Sequence, residues 1–329
     1  MNMSLRIRFV LLALTLAAFE PAFSQSASKT GGPKRGLLLN ELLLHHGPHA
    51  PAQGDGLPVP DAVAMGKAKT KVYKFSTADY PGADYSEVFD TDGATSVGAF
   101  AFSDTTGPLT AFTVKGNVYR ILDVPGSQFS FATAINSSGL IGGSYLDLSS
   151  AEHGFVDNAG TFTNIDYPGA LGTEVLDIND AGVIVGDYFD TAAQHGYVDN
   201  GGVFTPIDFP GALDGTSATG VNSNGDIVGT WKNNPLDVHG FLLSGGVFTS
   251  LDFPFAFETE VWGINDSGEI SGFFDDATGV HGFIYSHGAW NKVDVAGARG
   301  TQLFRSANSG AVAGQAFDHL NESHGIRGR

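Results

Sequence analysis

The sequence predicts an all-β fold, a six-bladed β-propeller made of four-stranded repeats of about 43 residues, on three observations. A polar turn ending in glycine recurs at a near-constant interval. The runs between these turns are β-branched and aromatic, with no sustained helical period. A lone copy of the fourth strand near Lys71–Asp79 matches a last repeat that lacks one. An open β-repeat array is the alternative.

The turn is the clearest anchor. Ile135-Asn136-Ser-Ser-Gly139, Ile178-Asn179-Asp-Ala-Gly182, Val221-Asn222-Ser-Asn-Gly225 and Ile264-Asn265-Asp-Ser-Gly268 are spaced by 43 residues. Ala307-Asn308-Ser-Gly310 follows after 42, and Asp90-Thr-Asp-Gly93 is the most diverged copy. Periods in this range mark propellers and related arrays.

One repeat holds four short strands. Between Thr173 and Ala212 these are Thr173–Ile178, Val183–Tyr188, Gln194–Val198 and Val203–Ile207, separated by Asn-, Asp- and Gly-rich turns. Three apolar columns run through the repeats as candidate core. They are Ile135, Ile178, Val221 and Ile264; Ile141, Ile184, Ile227, Ile270 and Val312; and Phe75, Tyr119, Phe162, Phe204, Phe248 and Trp290. Burying one such side chain contributes roughly 1.5–3 kcal/mol.

The ends of the array predict closure. The last repeat reaches its third strand at His324-Gly-Ile326 and lacks the fourth, while Phe75-Ser-Thr-Ala-Asp79-Tyr-Pro-Gly82 supplies a spare. This permutation suits a ring, which removes exposed sheet edges. An open solenoid would call for polar caps instead.

Upstream, Arg6 and Arg8 precede an apolar run, Phe9–Phe19, and Ala22-Phe23-Ser24 offers small residues before Gln25. Residues 1–24 are expected to be a secretory signal peptide cut near Ser24, leaving a secreted or periplasmic protein. Residues 25–70 read as a flexible Gly/Pro/Ser-rich linker with a short Leu-rich segment, Gly36–His46. His45, His46 and His49 lie close together there, without the preorganisation a metal site needs. The propeller is expected over 71–329.

Composition narrows the partners. The formal net charge is −18 with only 16% charged residues, a sign that disfavours nucleic acid and anionic membrane surfaces. No later stretch has the roughly 20 apolar residues of a spanning helix. Cysteine is absent, which excludes thiolate metal sites and a Cys nucleophile. The expected protein is a monomer.

The units Gly263-Ile-Asn-Asp-Ser-Gly-Glu-Ile-Ser-Gly272 and Val280-His-Gly-Phe283, followed elsewhere by Phe-Thr-x-Ile/Leu-Asp-Phe/Tyr-Pro-Gly-Ala, resemble the HAF-type extracellular repeat proteins of bacteria. The resemblance covers about 71–329, with His-Gly-Phe/Tyr standing where the family name implies His-Ala-Phe. It implies export and a repeated β architecture, with no defined activity.

Two polar columns invite a chemical reading: His153, His195, His239, His281 and His324, and Asp79, Asp123, Asp166, Asp208, Asp252 and Asp294. Catalysis needs an asymmetric arrangement around one substrate. Identical polar residues in every repeat suit identical structural hydrogen bonds, so these columns are read as structural. Turns such as Asp177–Gly182 lack the closing Glu of a calcium loop. No nucleophile elbow, phosphate loop or His-Glu-x-x-His occurs. No catalytic residue, metal or cofactor is therefore assigned, and the reading leans to a non-enzyme.

Function is sought where the repeat pattern fails. Trp231 and Lys232 replace a Tyr/Phe-Asp loop, and Glu260, Trp262 and Arg305 break their columns. These five are the candidate ligand-binding residues. The expectation is an exported binding or scaffold module that recognises a glycan or extracellular protein through loops on one face. The alternative is a glycoside hydrolase-like enzyme with its site in the central channel.

Overall fold

The computed structural model describes residues 72–102 and 108–329, which belong to the compact unit Val63–Arg329. The signal peptide, the linker, its Leu-rich segment and its three histidines lie outside the described residues.

The described chain is all-β, with 24 strands. β1 (Phe75–Thr77) stands alone at the start. The first unit is β2 (Tyr85–Thr91), β3 (Thr95–Ala101), β4 (Thr110–Lys115) and β5 (Val118–Ile121). The second is β6 (Ser127–Ile135), β7 (Ile141–Asp147), β8 (Glu152–Asn158) and β9 (Thr161–Ile165). The third is β10 (Gly172–Ile178), β11 (Ile184–Phe189), β12 (Gln194–Asp199) and β13 (Phe204–Ile207). The fourth is β14 (Gly215–Val221), β15 (Ile227–Asn234), β16 (Asp237–Ser244) and β17 (Val247–Leu251). The fifth is β18 (Glu258–Ile264), β19 (Ile270–Asp276), β20 (Gly279–Ser286) and β21 (Ala289–Val293). The last is β22 (Gly300–Ser306), β23 (Val312–Phe317) and β24 (Ser323–Gly328).

Each unit is an antiparallel meander, so its 2–3 and 4–1 loops share one end and its 1–2 and 3–4 turns the other. The second and third units join into one eight-stranded sheet through a single parallel pair, Gly172 opposite Glu152. The spare strand pairs as the sequence predicts: β1 lies antiparallel to β24, with Phe75 opposite Gly328 and Thr77 opposite Ile326. First strands pack side by side in chain order, and β2 packs in turn against β22, β23 and β24.

A bulge recurs in every first strand, at Val88/Asp90, Ala132/Ala134, Val175/Asp177, Ala218/Gly220, Val261/Gly263 and Leu303/Arg305. Bulges bend a strand and re-aim side chains. The facing second-strand residue is always glycine, for a steric reason. A Cβ on Gly186 would stand 1.9 Å from the Glu174 carbonyl oxygen, and one on Gly229 would stand 1.9 Å from that of Ser217.

The core lies between units. Ala134 of β6 packs with Val175 and Ile178 of β10, and Val228 of β15 with Val261 and Ile264 of β18. The first two predicted columns are buried throughout, whereas the third is half-buried except at Trp290.

The Asn of the repeated turn does two things. Its Oδ1 accepts from backbone N–H groups two and four residues on, as Asn179 does for Ala181 and Val183. Its amide donates to the next unit: Asn136 to the Asn179 carbonyl at 3.1 Å, and Asn179 to the Asn222 carbonyl at 3.0 Å. The residue that makes the turn therefore also ties neighbouring units.

Candidate functional site

The bulge column brings the pattern breaks together. Asp90, Asp177 and Arg305 hold the same bulge position in the first, third and last units. Arg305 Nη1 donates to Asp177 Oδ2 at 3.0 Å, and its Nε lies 3.4 Å from Asp90 Oδ1. Further N–H groups reach the Trp262 carbonyl at 3.3 Å and the Leu176 carbonyl at 3.2 Å. All three charged side chains are buried.

Room for Arg305 comes from glycine at the same position in the two preceding units. A Cβ on Gly220 would stand 3.1 Å from Arg305 Nη1, and one on Gly263 would stand 3.0 Å from its Cδ. Beside it Trp262 packs on Phe304 at 5.0 Å and donates its indole N–H to Glu260 at 3.2 Å. Phe304 in turn meets Phe89 at 5.4 Å. Three predicted candidates, Glu260, Trp262 and Arg305, thus gather along the bulge column.

Two carboxylates facing one guanidinium leave a buried excess of negative charge. Burial pushes the Asp90 carboxyl up to about 6, against the pull of Arg305 and with a push from Asp177. Burial also raises Asp177, with Arg305 and the Val221 and Ile178 N–H groups acting the other way. Above the triad the 1–2 turns form a shallow mouth that carries Asp92, Asp180, Asp266 and Asn308.

Trp231 and Lys232 go elsewhere, and their predicted loop is a strand. β15 runs on to Asn234, so both residues are paired across to β14 and β16. Trp231 is sandwiched between Phe209 at 4.4 Å and His239 at 4.4 Å. Lys232 is buried and donates to Gln194 Oε1 at 3.1 Å.

That lysine borders a cluster the sequence reading missed. Gln194 and Ser217 both donate to Asp187 Oδ2, at 2.5 Å and 2.7 Å. Glu174 lies in hydrogen-bonding contact with Asp187 and with Glu152. Burial and its carboxylate neighbours raise Glu174 well above the usual range, and burial raises Glu152 to about 7. The cluster therefore holds protons among its carboxyls near neutrality. A signal existed: the residue before each repeated His reads Glu152, Gln194, Val238, Val280 and Ser323.

The His and Asp columns pair one to one. Nδ1 lies 3.0 Å from Asp in His153–Asp166, and 2.8 Å in both His195–Asp208 and His239–Asp252. It lies 3.1 Å from Asp in His281–Asp294, and 3.0 Å in His324–Asp79 across the β1–β24 closure. Asp123 has no such partner, because the first unit carries Thr110 at the His position. Each Nε2 faces a second carboxylate near the 2–3 loop: Asp147, Asp190, Asp237, Asp276 or Asp318. These histidines are part-buried and stay in separate units.

The two ends of the units differ in character. At the mouth end the 1–2 turns are polar, while the 3–4 turns expose Val118, Val203 and Val247. The 2–3 and 4–1 loops expose Phe102, Leu148, Leu171, Leu213, Leu236, Phe255, Phe257 and Leu320.

No family model matches the chain. No curated protein matches it either. Among solved structures it is similar to TolB from Acinetobacter baumannii, with 8% identity and a TM-score of 0.53 over 73% of this chain and 65% of that one. It is also similar to an AofleA variant from Arthrobotrys oligospora, with 17% identity and a TM-score of 0.47 over 76% of this chain and 85% of that one. A third likeness is to Aleuria aurantia lectin in complex with Fucα1-6GlcNAc, with 14% identity and a TM-score of 0.43 over 73% of this chain and 95% of that one. With the strand order described above, the likeness to TolB identifies the fold as a β-propeller repeat.

Proposed function

We propose that the chain is an exported binding module, a six-bladed propeller closed by the β1–β24 pair, which recognises a protein or glycan through the 2–3 and 4–1 loops. Phe255 carries this reading. It sits at φ 67° where the corresponding loop residues Gly82, Gly169, Gly211 and Gly297 hold φ between 78° and 94°. Its side chain is 99% exposed. The left-handed conformation costs an L-residue roughly 1–2 kcal/mol, and leaving a Phe in water forgoes roughly 1.5–3 kcal/mol. Strain of this kind is characteristic of ligand-contacting positions, and aromatic anchors dominate binding surfaces. Phe257 adds a second exposed ring two residues on.

Export is supported by the Arg6–Ser24 leader pattern and by the resemblance to HAF-type repeats. The channel gives the hydrolase alternative less support, since Arg305 is held by two carboxylates and two carbonyls.

The test is to probe a glycan array and a displayed peptide library with the full chain and with Phe255→Gly. A ligand whose binding falls tenfold or more in the variant supports the reading. Binding indifferent to Phe255, or turnover of a glycoside panel that requires Asp90 or Asp177, overturns it.

A further inference from the structure

The last unit differs from its sisters at one place, and the difference completes a set of metal ligands. Asp318, Glu322 and His324 each bring a ligand atom within 4.8 Å of the other two. The second unit is the natural comparison, because its 2–3 loop has the same length and form. Asp147 Oδ1 accepts from Ser149 N and Ala151 N, and Ser150 takes φ 67°. Asp318 Oδ1 accepts from Leu320 N and Glu322 N, and Asn321 takes φ 64°. The loops correspond residue for residue in spacing, turn bonds and backbone sign, and Glu322 stands where the second unit has Ala151.

The imidazole is prepared in the way metal-binding histidines are. Asp79 takes the Nδ1 side of His324 at 3.0 Å, which leaves Nε2 facing the cluster. A carboxylate on the far nitrogen is the usual support of a metal-ligating His. Nε2 lies 4.0 Å from Asp318 Oδ2, beyond hydrogen-bond reach, as does the corresponding His153 Nε2 at 3.7 Å from Asp147 Oδ2. Tyr145, Tyr188, Trp231 and Phe274 are the cross-strand partners of the other four histidines, each with its ring against the imidazole, while Ala316 stands opposite His324 and leaves that face open.

We propose that Asp318, Glu322 and His324 bind one divalent transition-metal ion, zinc being the best match to one imidazole and two carboxylates with a fourth position left open. Asp318 is fixed by its backbone bonds through Oδ1 and offers Oδ2. Glu322 swings in from the exposed side. Asp79 acts as a positioning residue. The site lies in a 2–3 loop of the binding face proposed above, but it does not rest on the role given there to Phe255.

The test titrates the untagged full chain with zinc chloride by calorimetry. One site is expected, and Glu322→Ala should weaken it at least tenfold without loss of fold, because the second unit carries Ala at that position. Ala151→Glu should add a second, weaker site, since Asp147 and His153 already stand there but Tyr145 covers one face of that imidazole. Asp79→Asn should weaken binding less than Glu322→Ala. Equal zinc affinity in wild type and Glu322→Ala would overturn the proposal. So would binding that vanishes only when His45, His46 and His49, or His319, are replaced.

Discussion

Arg305 reaches Asp177 at 3.0 Å although the two are 128 positions apart, and it meets Asp90 from the first unit on its other side. Removing one member of a buried charge set strands the others. Arg305→Met should therefore cost about 3–5 kcal/mol in urea unfolding. Adding Asp90→Asn and Asp177→Asn should restore only part of it, because each Asn can still accept from the Ile135 or Val221 N–H but then turns its NH2 toward the Thr91 or Ile178 N–H that the second carboxylate oxygen accepts. A single variant as stable as wild type would remove the triad from the structural account.

Stability should fall as pH rises toward neutrality. Burial lifts Asp90 from 3.8 to about 6 and Glu152 from 4.5 to about 7, so folding favours their protonated forms. A raised carboxyl stabilises the fold fully below its unfolded pKa and loses that contribution as pH passes through the folded value. Thermal unfolding should show a decline between about pH 4 and pH 7. Glu152→Gln should flatten part of it and raise stability at pH 8. On the acid side, hydrogen bonds from Ser149 and Ala151 hold Asp147 below the ordinary range, so its contribution is lost as pH drops below about 4. A profile that rises from pH 5 to pH 8 would contradict these assignments.

Asn179→Ala should destabilise by about 1–2 kcal/mol, since it deletes a turn acceptor and a donor between units. Asn179→Asp keeps the acceptor and loses the donor, so it should fall between the two in calorimetry. If Ala and Asp are equally damaging, the link to the Asn222 carbonyl carries the effect.

Phe255→Gly should stabilise the protein. Glycine relieves the left-handed strain, and a gain of about 1 kcal/mol would raise Tm by roughly 2–4 °C in a domain of this size. Higher stability together with weaker ligand binding would be the signature of a residue kept for contact. A lower Tm would mean that Phe255 packs against something in the fold.

The repeat was legible because its signals are local. A turn such as Asn222–Gly225 and a column such as Ile141 to Val312 are visible along the chain, and β1 against β24 followed from counting strands. The buried triad was not legible in this way. Arg305 stood out as a break, but Asp90 and Asp177 meet it only because the first-strand bulges of three units converge on its side chain, over two glycines. Trp231 was misplaced on a loop because no sequence window shows that Phe209 and His239 flank it. Glu152, Glu174 and Asp187 were overlooked because polar residues in a β-rich chain read as surface, and only the packing between units buries them. The His and Asp columns were visible as a pattern, while the second carboxylate at each Nε2 depended on where the 2–3 loops fold back.

The pairing of β1 with β24 also sets the order in which the molecule can be completed. Phe75 cannot find Gly328 until almost the whole chain is available, so the strand made first among the described residues is the last to be satisfied. Closing so long a loop is entropically slow, and a contact of this sequence separation raises the contact order that governs folding rate. Until then β24 presents an open edge, which a chaperone or a second chain could occupy. Refolding should accordingly show a late, slow phase in which near-native content precedes resistance to proteolysis at the chain ends.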